Sequence, residues 1–144
     1  MSRIIFDGIT HTITLNDKDG NSLGVWPANN RTDSRATLRF VPNGPYSVVD
    51  MHSPHRHDPS DDSVEGEYGT FGIVRFGVTN HDGVGVHAGR KTTPDLTPER
   101  GIGPEHVTMG CIRTTEEAMA AITQTMSSDA LVQVLVQNNR NQRN

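Results

Sequence analysis

The sequence predicts a mainly β fold of the α+β class, with a single helix near the C-terminal end. Three observations point there. Fourteen glycines and eight prolines punctuate 144 residues, which favours a turn-rich β protein over a helical bundle. Apolar and polar residues alternate through the first third of the chain, the period of a half-buried strand. Helical signals appear only after Cys111.

The elements follow in order. Ile9, Ile13 and Leu15 alternate with Thr10, Thr12 and Thr14, and His11 falls on the apolar parity. Asp17-Lys18-Asp19-Gly20-Asn21 is a turn signal, after which Leu23 and Val25 resume the alternation, predicting a hairpin. Ala36, Leu38 and Phe40 predict a further strand that Pro42-Asn43-Gly44-Pro45 ends, and Tyr46 to Met51 predicts another. Residues 52–68 are polar and proline-broken and read as a long surface loop, a common setting for lids and binding loops. Strand character returns at Phe71–Phe76 and at Val84–Val86, which delivers His87 to a strand end. Residues 88–107 read as a second long loop.

Thr114-Thr115-Glu116-Glu117 fits a capping box with Thr114 as N-cap and Glu117 at N3. Ala118, Met119, Ile122 and Met126 then recur near helical spacing. Leu131 to Val136 is apolar on both parities apart from Gln133 and predicts a central buried strand. The expectation is one domain over residues 1–144, with a core at about 69–137 and a polar tail at 138–144.

The formal charge is −4 with no basic patch, which argues against a nucleic-acid partner. No stretch approaches the roughly 20 apolar residues of a membrane helix, and the N-terminus has no apolar run of signal length. The expectation is a soluble chain without a cleavable export signal.

Cys111 is the only cysteine, and all seven histidines precede it. Any cysteine–histidine chemistry must therefore run histidine first. A thiol is mostly protonated near neutral pH and needs a base or a positive field to become a nucleophile. His87 at a strand end and Cys111 at a strand-to-helix turn can supply that pair. Gly110 lets the backbone approach a substrate carbonyl, and the Gly110 and Cys111 amides could form an oxyanion hole. Arg113 brings positive charge near the thiol. The bland alternatives are a buried apolar thiol, a structural histidine, and an arginine salt-bridged to the following helix.

His87-Ala88-Gly89 followed by Thr108-Met109-Gly110-Cys111-Ile112-Arg113 resembles the L,D-transpeptidase (YkuD-like) family, whose signature is a histidine, a variable stretch, then Ser/Thr-His-Gly-Cys-apolar-Arg/Asn. The likeness runs from about Val84 to Val136. It implies an L,D-transpeptidase-like β-sandwich or barrel with one helix after the cysteine. It implies Cys111 as nucleophile, His87 as base and the Ala88 carbonyl as the group that orients the imidazole. It places Thr108 and Arg113 at the substrate side, and it implies no cofactor and no metal. Met109 stands where the family has histidine, and the spacing from His87 to Thr108 is longer than usual. His106 is a candidate for some of the space that the missing histidine leaves.

The implied activity is carboxypeptidase, transpeptidase or D-amino acid exchange chemistry on the tetrapeptide stems of peptidoglycan. Phe6-Asp7-Gly8, Asp19-Gly20-Asn21 and Asn43-Gly44-Pro45-Tyr46 also resemble type VI secretion effectors with such a domain. That narrower likeness implies action in a competitor's periplasm and a cognate immunity protein in the producing cell. Two alternatives stay open. His52, His55 and His57, with Asp58, Asp61 and Asp62, could serve a metal-dependent hydrolase. A degenerate fold could bind stems without turning them over, and Met109 is the argument for it.

Overall fold

A computed structural model describes residues 1–57, 62–93 and 101–139. The tail predicted at 138–144 therefore lies almost wholly outside the described residues, as do Asp58 and Asp61. The elements are β1 (Ser2–Asp7), β2 (Thr12–Asn16), β3 (Ser22–Asn29), β4 (Gly44–Ser47), β5 (Val74–Arg75), β6 (Gly85–His87), β7 (Ile112–Thr114), α1 (Glu116–Met126) and β8 (Leu131–Gln137), with one turn of 3-10 helix at Gly103–Glu105. The mainly β expectation with one helix after Cys111 holds. Among the described residues no helix is long and apolar enough to cross a membrane.

The strands form one mixed sheet in the order β4-β8-β1-β2-β3-β7-β6-β5. The β1–β8 and β6–β7 pairs are parallel, and the other pairs are antiparallel. The sheet curls until its two edges meet. Val48, just past β4, bridges Phe76, just past β5. Val49 N–H donates to Arg75 O at 2.8 Å, and Gly77 N–H donates to Ser47 O at 3.0 Å. Joining the edges covers the unpaired backbone that an open sheet would present.

One apolar cluster fills the interior. Ile4 and Phe6 of β1, Ile13 and Leu15 of β2, Val134 and Val136 of β8, and Val86 and Ile112 beside the site all belong to it. The apolar stripe of α1, Ala118, Met119, Ile122 and Met126, closes the same cluster. The hairpin predicted around residues 17–21 is present as β2–β3.

Several local expectations need correction. Ile9 is exposed in a turn and His11 takes a left-handed φ of 54°, so the strand begins only at Thr12. Leu23 and Val25 are exposed on β3. Ala36–Phe40 forms no strand, although Ala36 and Leu38 are buried at period two. There Ala36 N–H donates back to Asp33 O, and Thr32 Oγ1 donates to Arg39 O, so the backbone turns instead of entering a ladder. The helix cap lies one residue later than predicted. Thr115 Oγ1 accepts from Ala118 N–H at 3.0 Å, whereas Thr114 is the last residue of β7 and its hydroxyl donates to Pro27 O. Strand pairing of Thr114 with Ala28 takes the first threonine and leaves the second to cap. β8 is interior, between β4 and β1, but only Leu131, Val134 and Val136 are buried. β1, which the sequence reading does not assign, is central to the sheet. The Ile4/Phe6 alternation is its signal.

Candidate active site

β6 and β7 lie side by side and parallel, with Val86 opposite Ile112 and His87 opposite Arg113. Side chains alternate across a strand. Val86 and Ile112 therefore enter the core, while His87 and Arg113 share the other face with Cys111, two residues before Arg113. All three line one cavity of about 230 Å³, together with Asp33, Arg35, Glu67, Tyr68, Arg90, His106, Thr108 and Met109. Residues 24 positions apart in sequence thus meet because a parallel pairing places their strands in register.

The imidazole of His87 is buried, with Nδ1 2.7 Å from Ala88 O. A carbonyl can only accept, so Nδ1 carries the proton and Nε2 is left as the basic nitrogen. This is the contact that the Ala88 expectation requires. Tyr68 packs edge-on against the ring at 4.9 Å between centroids. Burial, then the nearby Arg113 charge, pushes His87 down from 6.5 to about 3. His87 is therefore a neutral imidazole at pH 7.

Cys111 is half-buried. Its thiol donates weakly to Gly83 O at 3.7 Å. Dehydration of the sulfur raises its pKa from 9.0 to about 11, against the opposing pull of the Gly85 amide and Arg113. At pH 7 the pair is thus a neutral thiol and a neutral imidazole. Forming the thiolate requires transfer of the thiol proton to the imidazole rather than a pre-existing ion pair.

The loop that carries Cys111 is pinned by side chains. Thr108 Oγ1 accepts from Gly110 N–H at 3.1 Å and donates to Cys111 O at 2.7 Å. The Gly110 amide predicted for an oxyanion hole is therefore already engaged by Thr108. Gly110 has a φ of 139°, and a Cβ there would lie 3.2 Å from Leu38 Cδ2, so glycine meets both a conformational and a spatial demand. Asn30, missed in the sequence reading, is fully buried beneath this loop. Its Nδ2 donates to Gly110 O at 2.9 Å and Cys111 O at 3.0 Å, and its Oδ1 accepts from Val41 N–H at 2.6 Å and Asn139 Nδ2 at 3.0 Å. An asparagine in a run of polar residues gives no local sign of such contacts.

His106 is buried in the same cavity and repeats the His87 geometry, with Nδ1 3.0 Å from Val107 O. It stands on the turn after the 3-10 helix rather than on a strand paired to the cysteine. Met109 is 57% exposed at the cavity rim, so the motif's missing histidine leaves an apolar rim rather than a polar wall. Arg113 is buried; its Nη2 donates to Glu67 O at 2.9 Å, and burial with the neighbouring Arg90 charge lowers its pKa to about 10. The salt bridge to the following helix considered for Arg113 does not form among the described residues. The helix instead meets the site region through Glu116, whose carboxylate accepts from Thr70 N–H at 3.1 Å.

His52, His55 and His57 are exposed. His57 stacks on Tyr68 at 4.1 Å and meets His55 edge-on at 5.2 Å. Among the described residues no group of three histidine, cysteine, aspartate or glutamate side chains converges as a metal site would need.

No family model and no curated protein matches the chain. Solved structures do. An L,D-transpeptidase (Yku) from Stackebrandtia nassauensis superposes with a TM-score of 0.58 at 14% identity, over 98% of this chain and 57% of that one. The L,D-transpeptidase from Xylanimonas cellulosilytica gives 0.57 at 17% identity, over 94% and 59%. L,D-transpeptidase 1 from Mycobacterium tuberculosis gives 0.53 at 17% identity, over 94% and 60%. The chain thus spans less than two thirds of each of those proteins. A curled mixed sheet, a histidine at the end of β6 with a cysteine just before the parallel strand β7, and these superpositions together give the chain the L,D-transpeptidase fold.

Proposed function

We propose that the chain is a peptidoglycan-modifying cysteine acyltransferase acting on tetrapeptide stems, as an L,D-carboxypeptidase, an L,D-transpeptidase or both. The observation that carries this reading is the His87–Cys111 arrangement, in which an imidazole held through Nδ1 by Ala88 O shares one cavity with the thiol. His87 Nε2 takes the thiol proton as Sγ attacks the carbonyl at the L-centre of meso-diaminopimelate. The carbon–nitrogen bond to the terminal D-Ala breaks, and the imidazolium returns its proton to the departing amine. The product is a thioester on Cys111. Water then attacks, giving up a proton through His87, and releases a tripeptide acid and the thiol. An amine attacking instead completes transpeptidation or D-amino acid exchange.

Thr108 and Gly110 hold the cysteine loop in this scheme, and Arg113 supplies charge at the substrate side. His106 is a cavity wall whose removal leaves most turnover. The effector likeness supports a further reading, in which the protein is delivered to a target cell's periplasm and its producer carries an immunity protein. A small neighbouring reading frame with an export signal is the check on that part.

A stem-binding module without turnover is favoured by one observation, the thiol held protonated to about pH 11. The two readings separate on purified tetrapeptide muropeptides. Mass spectrometry should detect D-Ala released by the wild type and not by Cys111→Ala. Equal behaviour of the two proteins would overturn the enzyme reading.

A further inference from the structure

Asn30 follows the last residue of β3 and is fully buried, and every polar position of its side chain is used. Its Oδ1 accepts from Val41 N–H at 2.6 Å and from Asn139 Nδ2 at 3.0 Å. Its Nδ2 donates to Gly110 O at 2.9 Å and to Cys111 O at 3.0 Å. A backbone N–H can only donate and a backbone carbonyl can only accept, so these partners fix which end of the amide faces the cysteine loop. Asn139, just past β8, is anchored in turn, with its N–H on Asn43 Oδ1 and its Nδ2 on Val41 O. Chain segments after β3, before β4 and after β8 thus converge on one side chain beneath Cys111. A buried polar network with its central member fully satisfied holds one geometry, because any alternative leaves groups unpaired in a dry interior.

The geometry it holds is the tilt of one peptide plane. A trans peptide points its C=O and its N–H in opposite directions. Gly110 O is drawn inward to Asn30, which is no part of the cavity wall. The N–H of the same peptide belongs to Cys111, so it points away from Asn30, toward the side on which Cys111 lines the cavity. Among the described residues Cys111 N–H meets no acceptor. Gly110 N–H, on the preceding peptide, is held by Thr108 Oγ1 at 3.1 Å. The loop therefore offers one free amide beside the thiol instead of two.

We infer that Asn30 is a positioning residue for acyl transfer: it turns the Gly110–Cys111 peptide so that Cys111 N–H alone donates to the oxyanion. This rests on the acyl-transfer reading, since it needs a carbonyl under attack by Cys111. As the Sγ–carbon bond forms, the carbonyl π pair moves onto oxygen and the thiol proton passes to His87 Nε2. Cys111 N–H donates to the new oxyanion. Collapse reforms the C=O bond and expels the leaving group with its bonding pair. Asn30 touches none of the reacting atoms and acts through the peptide it holds. A preorganised donor of this kind contributes roughly 100–1,000-fold to rate.

The test compares two reactions of the same thiol. Iodoacetamide is attacked at a saturated carbon and generates no oxyanion. p-Nitrophenyl acetate is attacked at a carbonyl and generates one. Both are followed by intact mass, with Cys111→Ala as the blank and N-acetylcysteine as the reference for a thiol with no site around it. The ratio of acetylation to alkylation rate should exceed that of N-acetylcysteine at least about tenfold in the wild type, and should fall at least about tenfold in Asn30→Ala. A general loosening of the loop would change both reactions together and leave the ratio where it was. Asn30→Asp keeps the shape of the side chain and serves if Asn30→Ala does not fold. Its carboxyl can donate to Gly110 O while protonated and only repels that oxygen once ionised. Its ratio should therefore lie below that of the wild type at every pH from 5 to 9, or drop as the pH rises. A wild-type ratio equal to that of N-acetylcysteine would overturn the inference, as would a wild-type ratio retained by Asn30→Ala or, across the whole pH range, by Asn30→Asp. Release of D-Ala from muropeptides plays no part in this measurement. A protein that shows the ratio but cuts no stem loses only the peptidoglycan reading, and one that cuts stems with an Asn30-independent ratio loses only this inference.

Discussion

The β1–β2–β8 half of the sheet and the β5–β6–β7 half are built on different physics. Strands in the first run five to seven residues, pair along most of their length and bury apolar side chains, in strict alternation on β1 and β2 and at Leu131, Val134 and Val136 on β8. Strands in the second run two or three residues. Their neighbouring loops are held by side chains reaching backbone: Asn30 to Gly110 and Cys111, Thr108 to Cys111, Glu116 to Thr70, Arg113 to Glu67. The first half gains its stability from apolar area, and the second gains geometry from specific polar contacts. Reactive groups stand only in the second, where a small change in one contact moves the thiol or the imidazole.

The largest expected effect breaks the first half. Phe6 is fully buried at the centre of the cluster. Phe6→Ala should cost about 3–5 kcal/mol in chemical denaturation, enough to leave little of a typical domain's stability. A cost below about 1 kcal/mol would mean that the long-strand half does not carry the fold as the comparison holds.

The same contrast decides what the sequence could disclose. Ile13 and Leu15 announce β2 because alternation is a local property that survives into the fold. The His87–Cys111 pair is legible for another reason: a motif ties both residues to one chemistry. Asn30 was illegible, since its partners lie 80 and 81 positions away. Ala36–Phe40 misled because burial at period two needs no ladder when side chains and turns take up the backbone groups. Thr114 and Thr115 are both good caps, and only pairing with β3 decides between them.

The next effect sharpens the second half. His87 has a folded-state pKa of about 3 against 6.5 when unfolded. Between those values the unfolded chain binds a proton that the folded chain refuses. Stability from this group is therefore complete above pH 6.5 and is lost as pH falls toward 3, by an amount on the order of 4 kcal/mol. His87→Gln removes the titration. The stability difference between wild type and His87→Gln should thus shift against the wild type across that window, read from urea midpoints at several pH values. Parallel pH profiles would mean that the imidazole is hydrated in the native state and that the site half is looser than its contacts imply.

The smallest expected effect concerns the thiol. A pKa of about 11 in place of 9.0 leaves roughly a hundredfold less thiolate at pH 7.4. Iodoacetamide should therefore alkylate Cys111 about a hundred times more slowly than a free cysteine, followed by intact mass, with the rate still climbing through pH 9–10. The contrast with papain-like sites is physical: there a positive imidazole stabilises the thiolate, whereas His87, neutral and dry, stabilises no charge until a substrate carbonyl arrives to receive it. His87→Ala should leave the slow alkylation almost unchanged while abolishing turnover, because the imidazole matters only when a proton moves. Rapid alkylation at pH 7.4 that collapses in His87→Ala would reverse this picture and show a preformed ion pair. The polar pinning of the Cys111 loop would then serve to hold charges together rather than to keep two neutral groups apart until substrate joins them.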